Sequence, residues 1–225
     1  DREDRRGPER ACAQGWISPR AMRNGIIVTV LFACLIGSAL LFYAGWELII
    51  VGLLCVLFAF LYTTGPYPLS YNGWGDVLVI VFFGFVPVGG TYYVQALTWT
   101  SDTTVASLIC GLLIDTLLVV NNYRDREADA RSGKRTVIVR FGEKFGRYLY
   151  LMLGVAASLL CFWFFFEGHL FAALLPLLYL IPHVLTWRRM VQIHSGKKLN
   201  SILGETSRNM LLMGILLSIG FLIRH

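Results

Sequence analysis

The chain has 225 residues, of which 56% are hydrophobic and 15% charged, and its mean hydropathy is +0.62. A soluble domain carries about 25% charged residues, and one of this size cannot bury so large an apolar excess, so a soluble enzyme, a disordered chain and a collagen-like chain are excluded. The net charge of +6 does not make a nucleic-acid face, because the basic residues lie between apolar stretches, the pattern of membrane topology.

In chain order the sequence opens on a charged run, residues 1–10, in which Asp1, Glu3 and Asp4 are followed by Arg5, Arg6 and Arg10. Seven apolar stretches follow, near residues 25–44, 46–64, 75–99, 103–123, 146–166, 168–187 and 208–223. A spanning helix needs about 20 residues. In lipid each stretch must be helical, because its backbone polar groups need partners within the segment. The short alternating segments of a membrane β-barrel do not occur. The expected fold class is an all-α transmembrane helical bundle, with residues 1–225 forming a single domain. Five cysteines make no CxxC pair, and four of them lie in apolar stretches. They read as packing residues, not as disulfides or zinc ligands.

The connections fall alternately on two sides. One side collects residues 1–24, 65–74, 124–145 and 188–207, and with Arg147 and Arg208 at the helix ends it holds 19 of the 20 lysines and arginines. The positive-inside rule makes that side cytoplasmic and the protein a multi-pass resident of the cell membrane. The same side carries the long polar loops, where function concentrates.

The densest polar stretch is NNYRDREADARSGKRTVIVRFG, residues 121–142. Asn121, Asp125 and Asp129 are spaced i, i+4, i+8 and share one face if the helix continues. Two carboxylates and an amide oxygen suit a hard cation such as Mg²⁺, which binds through one or two carboxylates plus a substrate phosphate. Lys134, Arg135 and Arg140 follow as cationic donors for phosphate. On spacing alone a solvated charged loop is the plainer alternative. The acids of the N-terminal run, backed by Arg10 on the same side, add a second cluster and with it a clamp for Mg²⁺-diphosphate. Asp115 lies inside the fourth stretch, where an ionisable group faces a cavity or a partner. It reads equally as the border of a substrate chamber or as a structural acid. Tyr62, Tyr67, Tyr71 and Trp74 are an interfacial aromatic belt or π faces for a carbocation. His183 and His194 are single and read as structural.

The string Asn121-Asn122-Tyr123-Arg124-Asp125-x-x-x-Asp129, with Gly-Lys-Arg-Thr at 133–136 and Val139-Arg140-Phe141-Gly142, resembles the second aspartate-rich motif of intramembrane prenyltransferases, the UbiA superfamily. Its form is similar to that of the 1,4-dihydroxy-2-naphthoate polyprenyltransferases of menaquinone synthesis. The opening DREDRRGPERACAQGWISPRAM, and Tyr62-Thr-Thr-Gly-Pro-Tyr-Pro-Leu with Gly73-Trp-Gly-Asp76, resemble other stretches of that family. The resemblance implies transfer of a polyprenyl group from polyprenyl diphosphate to 1,4-dihydroxy-2-naphthoate with decarboxylation, in a lipid bilayer and with the active site facing the cytoplasm. Asp125 and Asp129, with Asn121, would hold Mg²⁺; Asp1 or Asp4 would be the trailing acid of the first motif. Lys134, Arg135, Arg140 and Arg10 would hold the diphosphate.

The sequence departs from the family at two points. The Asn-Asp-x-x-Asp core of the first motif is absent, and seven helices stand where nine are expected, so two helices are expected before residue 1. No lysine occurs before Lys134, although many superfamily members carry one in the loop after the Tyr62 position. Other acceptors within the superfamily remain open. A small transporter with intramembrane acids is the rival from another class, but the inverted repeats or broken helix pairs of transporters are not evident.

Overall fold

Ser18 opens the first helix: its Oγ accepts from the Ala21 N–H at 3.2 Å, and Pro19 takes the first helical position, where a missing N–H costs nothing. The computed structural model describes residue 7 and residues 9–223; the expectations for Asp1 and Asp4 lie outside the described residues. The helices are α1 (Pro19–Ser38), α2 (Glu47–Thr63), α3 (Gly75–Ala96), α4 (Ser101–Arg131), α5 (Val137–Leu160), α6 (Leu170–Ile193) and α7 (Asn200–Leu222). All but α2 are long and apolar enough to cross a membrane. Among the described residues there is no strand. The fold is the helical membrane bundle that composition and periodicity predict.

The packed part of the bundle is α4 to α7. On one level Val119, Val120 and Tyr123 of α4 meet Ile138, Tyr150 and Leu153 of α5, Met190 of α6 and Ile202 of α7. On another, Ile109 and Leu113 meet Ala157, Ala172, Tyr179 and Met213. His183 is fully buried there, stacked on Tyr150 and Tyr179 and bonded to the Tyr179 hydroxyl at 2.9 Å. It is structural, as its isolation in the sequence implies. By contrast, α1 and α2 bury none of their residues. Most of their apolar side chains point outward, as lipid-facing helices require, while Phe58 of α2 packs on Phe82 of α3.

Inside α3, residues Ile80–Gly89 form widened, π-type turns around Pro87. A proline removes one backbone donor and crowds the preceding turn, and a wider turn accommodates both.

The connection expected over 124–145 is mostly helix. α4 runs unbroken to Arg131, and α5 starts at Val137, capped by Thr136, whose Oγ1 accepts from the Val139 N–H at 3.3 Å. Likewise the span expected as a loop at 188–207 is helical on both sides of a short turn near His194. Charged residues of alternating sign mimic a solvated loop in the sequence. Alanine, arginine and glutamate are also good helix formers, and here they carry α4 out beyond the apolar zone.

Candidate active site

At roughly 1.5 Å per residue, the 31 residues of α4 make a rod of about 46 Å, against about 30 Å of hydrocarbon. Its last turns therefore stand clear of the apolar zone, and they carry Asn121, Asp125 and Asp129 on one continuous face. Between these residues sits Arg124, buried to 3% exposure. Its guanidinium clasps both oxygens of Asp125, Nε to Oδ1 at 2.8 Å and Nη2 to Oδ2 at 2.6 Å. It also donates to Asn121 Oδ1 at 2.5 Å and to Asn200 Oδ1 of α7 at 2.8 Å. Arg124 thus orients two members of the motif and ties them to the last helix. The sequence contains it inside the motif but gives no sign of this role, because Asn200 lies 76 positions away.

The second acid is held differently. α4 ends at Arg131, and Gly133 beyond it has a φ of +77°, a left-handed conformation that suits glycine. The chain folds back, and the Lys134 N–H bonds the Asp129 carbonyl at 2.9 Å. Lys134 Nζ reaches Asp129 Oδ1 at 3.0 Å and lies 5.1 Å from the centre of the Tyr71 ring. The loop before α3 is docked onto the same segment. The Arg135 N–H donates to the Tyr71 carbonyl at 2.7 Å, and Arg140 Nη2 to the Asn72 carbonyl at 2.7 Å. A second glycine, Gly142 at φ +87°, turns the chain between residues 137–141 and the rest of α5.

These elements enclose a polar cavity of about 360 Å³. Of the residues expected in the site, Asn121, Lys134 and Arg10 line it, together with Tyr62, Tyr71, Asp76, Leu118, Asn122 and Thr136. Asp125 and Asp129 stand beside it on the same helix, bonded to Arg124 and Lys134. Arg135 and Arg140 do not line it; the Arg140 side chain straps the 69–74 loop. Glu143 belongs to a separate cluster with Arg126, Arg147, His194 and the Tyr123 hydroxyl. That cluster joins α4, α5 and the α6–α7 turn.

A larger cleft of about 500 Å³ lies between α6 and α7. Its one acid, Glu205, is paired with Arg189 at 2.7 Å, so size does not select the site. Among the described residues no group of three or more His, Cys, Asp or Glu is placed to hold a metal ion. The donor set at the end of α4 is instead two carboxylates and an amide oxygen.

The sequence profile of the UbiA prenyltransferase family matches residues 1–218. The chain belongs to this family. Its relatives in the UbiA family include the 1,4-dihydroxy-2-naphthoate octaprenyltransferase of Haemophilus influenzae, 37% identical over 99% of this chain and 75% of the relative. The protein of the same name from Escherichia coli is 38% identical over 72% of the chain and 54% of the relative. The UbiA prenyltransferase domain-containing protein 1 of Dictyostelium discoideum is 30% identical over 72% of the chain. The chain thus spans three quarters of the first of these (75%) and about half of the other two (54% and 48%). No solved structure matches it.

Proposed function

We propose that this protein transfers a polyprenyl group from its diphosphate to 1,4-dihydroxy-2-naphthoate, releasing diphosphate and CO₂ and leaving the reduced, hydroquinone form of demethylmenaquinone. The observation that carries this reading is the end of α4. There two carboxylates one turn apart are each held by a cation, beside a polar cavity that also receives Lys134 and Arg10. The names of the Haemophilus and Escherichia relatives support the choice of acceptor.

The donor set fits a hard divalent cation, because Asn121, Asp125 and Asp129 offer oxygen ligands and already turn them toward positive charge. Asp125 and Asp129, with Asn121, would hold Mg²⁺, and Asp1 or Asp4, as the trailing acid of the first motif, would add to the acidic clamp in this reading. Bound there, Mg²⁺ supplies positive charge to the diphosphate as the allylic C–O bond breaks. Arg124 keeps Asp125 in one orientation through its paired hydrogen bonds. Lys134 exchanges Asp129 for a phosphate oxygen and, with Arg10, holds the leaving group. Arg135 offers a further cation beside them, and Arg140 keeps the Tyr71 loop in place. The π faces of Tyr62 and Tyr71 stabilise the allylic cation, and Leu118 helps keep water from it.

Lys134→Ala is expected to raise the KM for prenyl diphosphate about tenfold or more, the worth of one hydrogen bond to a charged group. The KM for the naphthoate should not move. Equal changes in both would place Lys134 outside the diphosphate site. The acceptor is tested by offering membranes that carry the protein a prenyl diphosphate with 1,4-dihydroxy-2-naphthoate, 4-hydroxybenzoate or homogentisate. Mass spectrometry should find a prenylated, decarboxylated naphthalene product. Preference for either benzene acceptor would overturn the assignment.

In this reading the basic side, with the cavity, faces the cytoplasm. Cysteines substituted for Ser132 and Ser195, in a cysteine-free background, should resist an impermeant thiol reagent in intact cells and react after lysis. Labelling from outside would invert the topology.

A further inference from the structure

Three buried side-chain atoms have no hydrogen-bond partner among the described residues: Asp76 Oδ1, Asp115 Oδ1 and Ser107 Oγ. Two of them are carboxyl oxygens on neighbouring helices. Asp115 is 1% exposed and makes no hydrogen bond or ion pair to any described residue. Asp76 has only its own backbone N–H. An unpaired buried polar group is destabilising, and more so if charged. Intramembrane acids that persist in spite of this cost face a cavity or a partner.

Of the two, Asp76 reaches the site. Asp76 lines the cavity with Tyr62, Leu118 and Asn122. Asp115 lies three and seven residues before Leu118 and Asn122, so it shares their face of α4, one turn deeper. α3 meets α4 at two points, Gly75 against Leu118 and Ile80 against Gly111; Asp76 lies between them on α3 and Asp115 between them on α4. Six residues separate Asp115 from Asn121, which is about 9 Å along the axis at roughly 1.5 Å per residue. Asp115 therefore sits below the proposed diphosphate site and Asp76 in its lining, the region where the ring that attacks the prenyl group must lie.

We propose that Asp76 and Asp115 are the hydroxyl-binding end of the acceptor site, a paired-carboxyl socket for a dihydric phenol. This rests on the function proposed above and assigns to two residues the work of holding and activating the acceptor. Two adjacent carboxyl groups in a low-dielectric site share a proton, so the pair offers one accepting oxygen and one donating O–H. The accepting carboxylate takes the proton of a phenolic O–H as the ring carbon bearing the carboxylate forms its bond to the allylic carbon. In the same step the allylic C–O bond breaks and diphosphate departs with its electron pair. The resulting ketone loses CO₂ when the bond from ring to carboxylate breaks, and that electron pair restores the aromatic ring. The oxygen then recovers its proton from the carboxyl group. No net proton is consumed at the pair.

Asp115→Asn and Asp76→Asn keep the shape of the side chain and remove the base. With the protein in its membrane, kcat should fall about 10²-fold or more, the usual worth of a general base, while the KM for prenyl diphosphate stays put. Equilibrium dialysis should show the naphthoate bound about tenfold more weakly. The wild type should prefer the free diol over its mono-O-methyl ethers, and the variants should lose that preference.

Labelling of the wild type with an apolar carbodiimide, read by mass spectrometry, gives a result independent of variant folding. The naphthoate should protect Asp115, and prenyl diphosphate alone should not. Unaltered naphthoate affinity and kcat in both variants, or no protection of Asp115, would overturn the proposal. If the wild type turns over no naphthoate, the function proposed above fails. The dialysis and protection measurements still decide whether the pair binds a dihydric phenol.

Discussion

Asp125→Asn and Asp129→Asn are each expected to lower the rate of prenyl transfer by about 10²–10³ or more, because each removes a charge that acts on the departing diphosphate. The two changes should differ in stability. The Asp129 side chain is 10% exposed, but its partner Lys134 is 30% exposed and can turn its ammonium to solvent, so loss of the pair costs about 0–1 kcal/mol. Asp129→Asn should therefore fold as the wild type does. Asp125 lies against Arg124, whose side chain is 4% exposed. Its loss takes away the carboxylate charge that faces this buried guanidinium, at a cost of about 1–3 kcal/mol. The sequence places both acids at a wet helix end, where their removal would be equally harmless; the buried arginine separates them. Thermal midpoints in detergent, measured beside the turnover of both variants, test this. Turnover near wild type in both would remove the carboxylates from the mechanism.

Gly84→Val is expected to be among the most damaging single changes outside the site. A Cβ at Gly84 would stand 2.5 Å from the Ser107 carbonyl oxygen and 2.7 Å from Gly111 Cα. Both obstacles are backbone, so no side chain can swing away. Small residues at 107 and 111, one turn apart on α4, let the two helices touch as small-residue seams do in membranes. Forcing them apart costs about 1–3 kcal/mol or more. It also separates α3 from α4, and with them Asp76 from Asp115. Gly25→Val is the control, since nothing lies within 4 Å of a Cβ there. Loss of folded protein for Gly84→Val but not for Gly25→Val is the expected result. Equal stability of the two would mean that the seam is looser than it stands here.

Much of this architecture is legible in the chain. Seven apolar stretches become seven helices, and the i, i+4, i+8 spacing of Asn121, Asp125 and Asp129 keeps its meaning because α4 continues through them. What the sequence does not reveal is who meets whom across distance. Arg124 finds Asn200, and Arg140 finds Asn72 across 68 positions. No periodicity records such contacts. Lys134 illustrates the same limit. Its identity as a cation is plain, but its return over Tyr71 depends on the left-handed turn at Gly133. Asp76 and Asp115 look unrelated in sequence, and only the seam between α3 and α4 brings them together.

The central claim is that the end of α4 is a metal-assisted diphosphate site serving an aromatic acceptor. It is tested most directly by following diphosphate release from a polyprenyl diphosphate in membranes that carry the protein. The account predicts release that requires both Mg²⁺ and 1,4-dihydroxy-2-naphthoate, matched by CO₂, and lost in Asp129→Asn. Release that proceeds equally after chelation, or equally in Asp129→Asn, would contradict it.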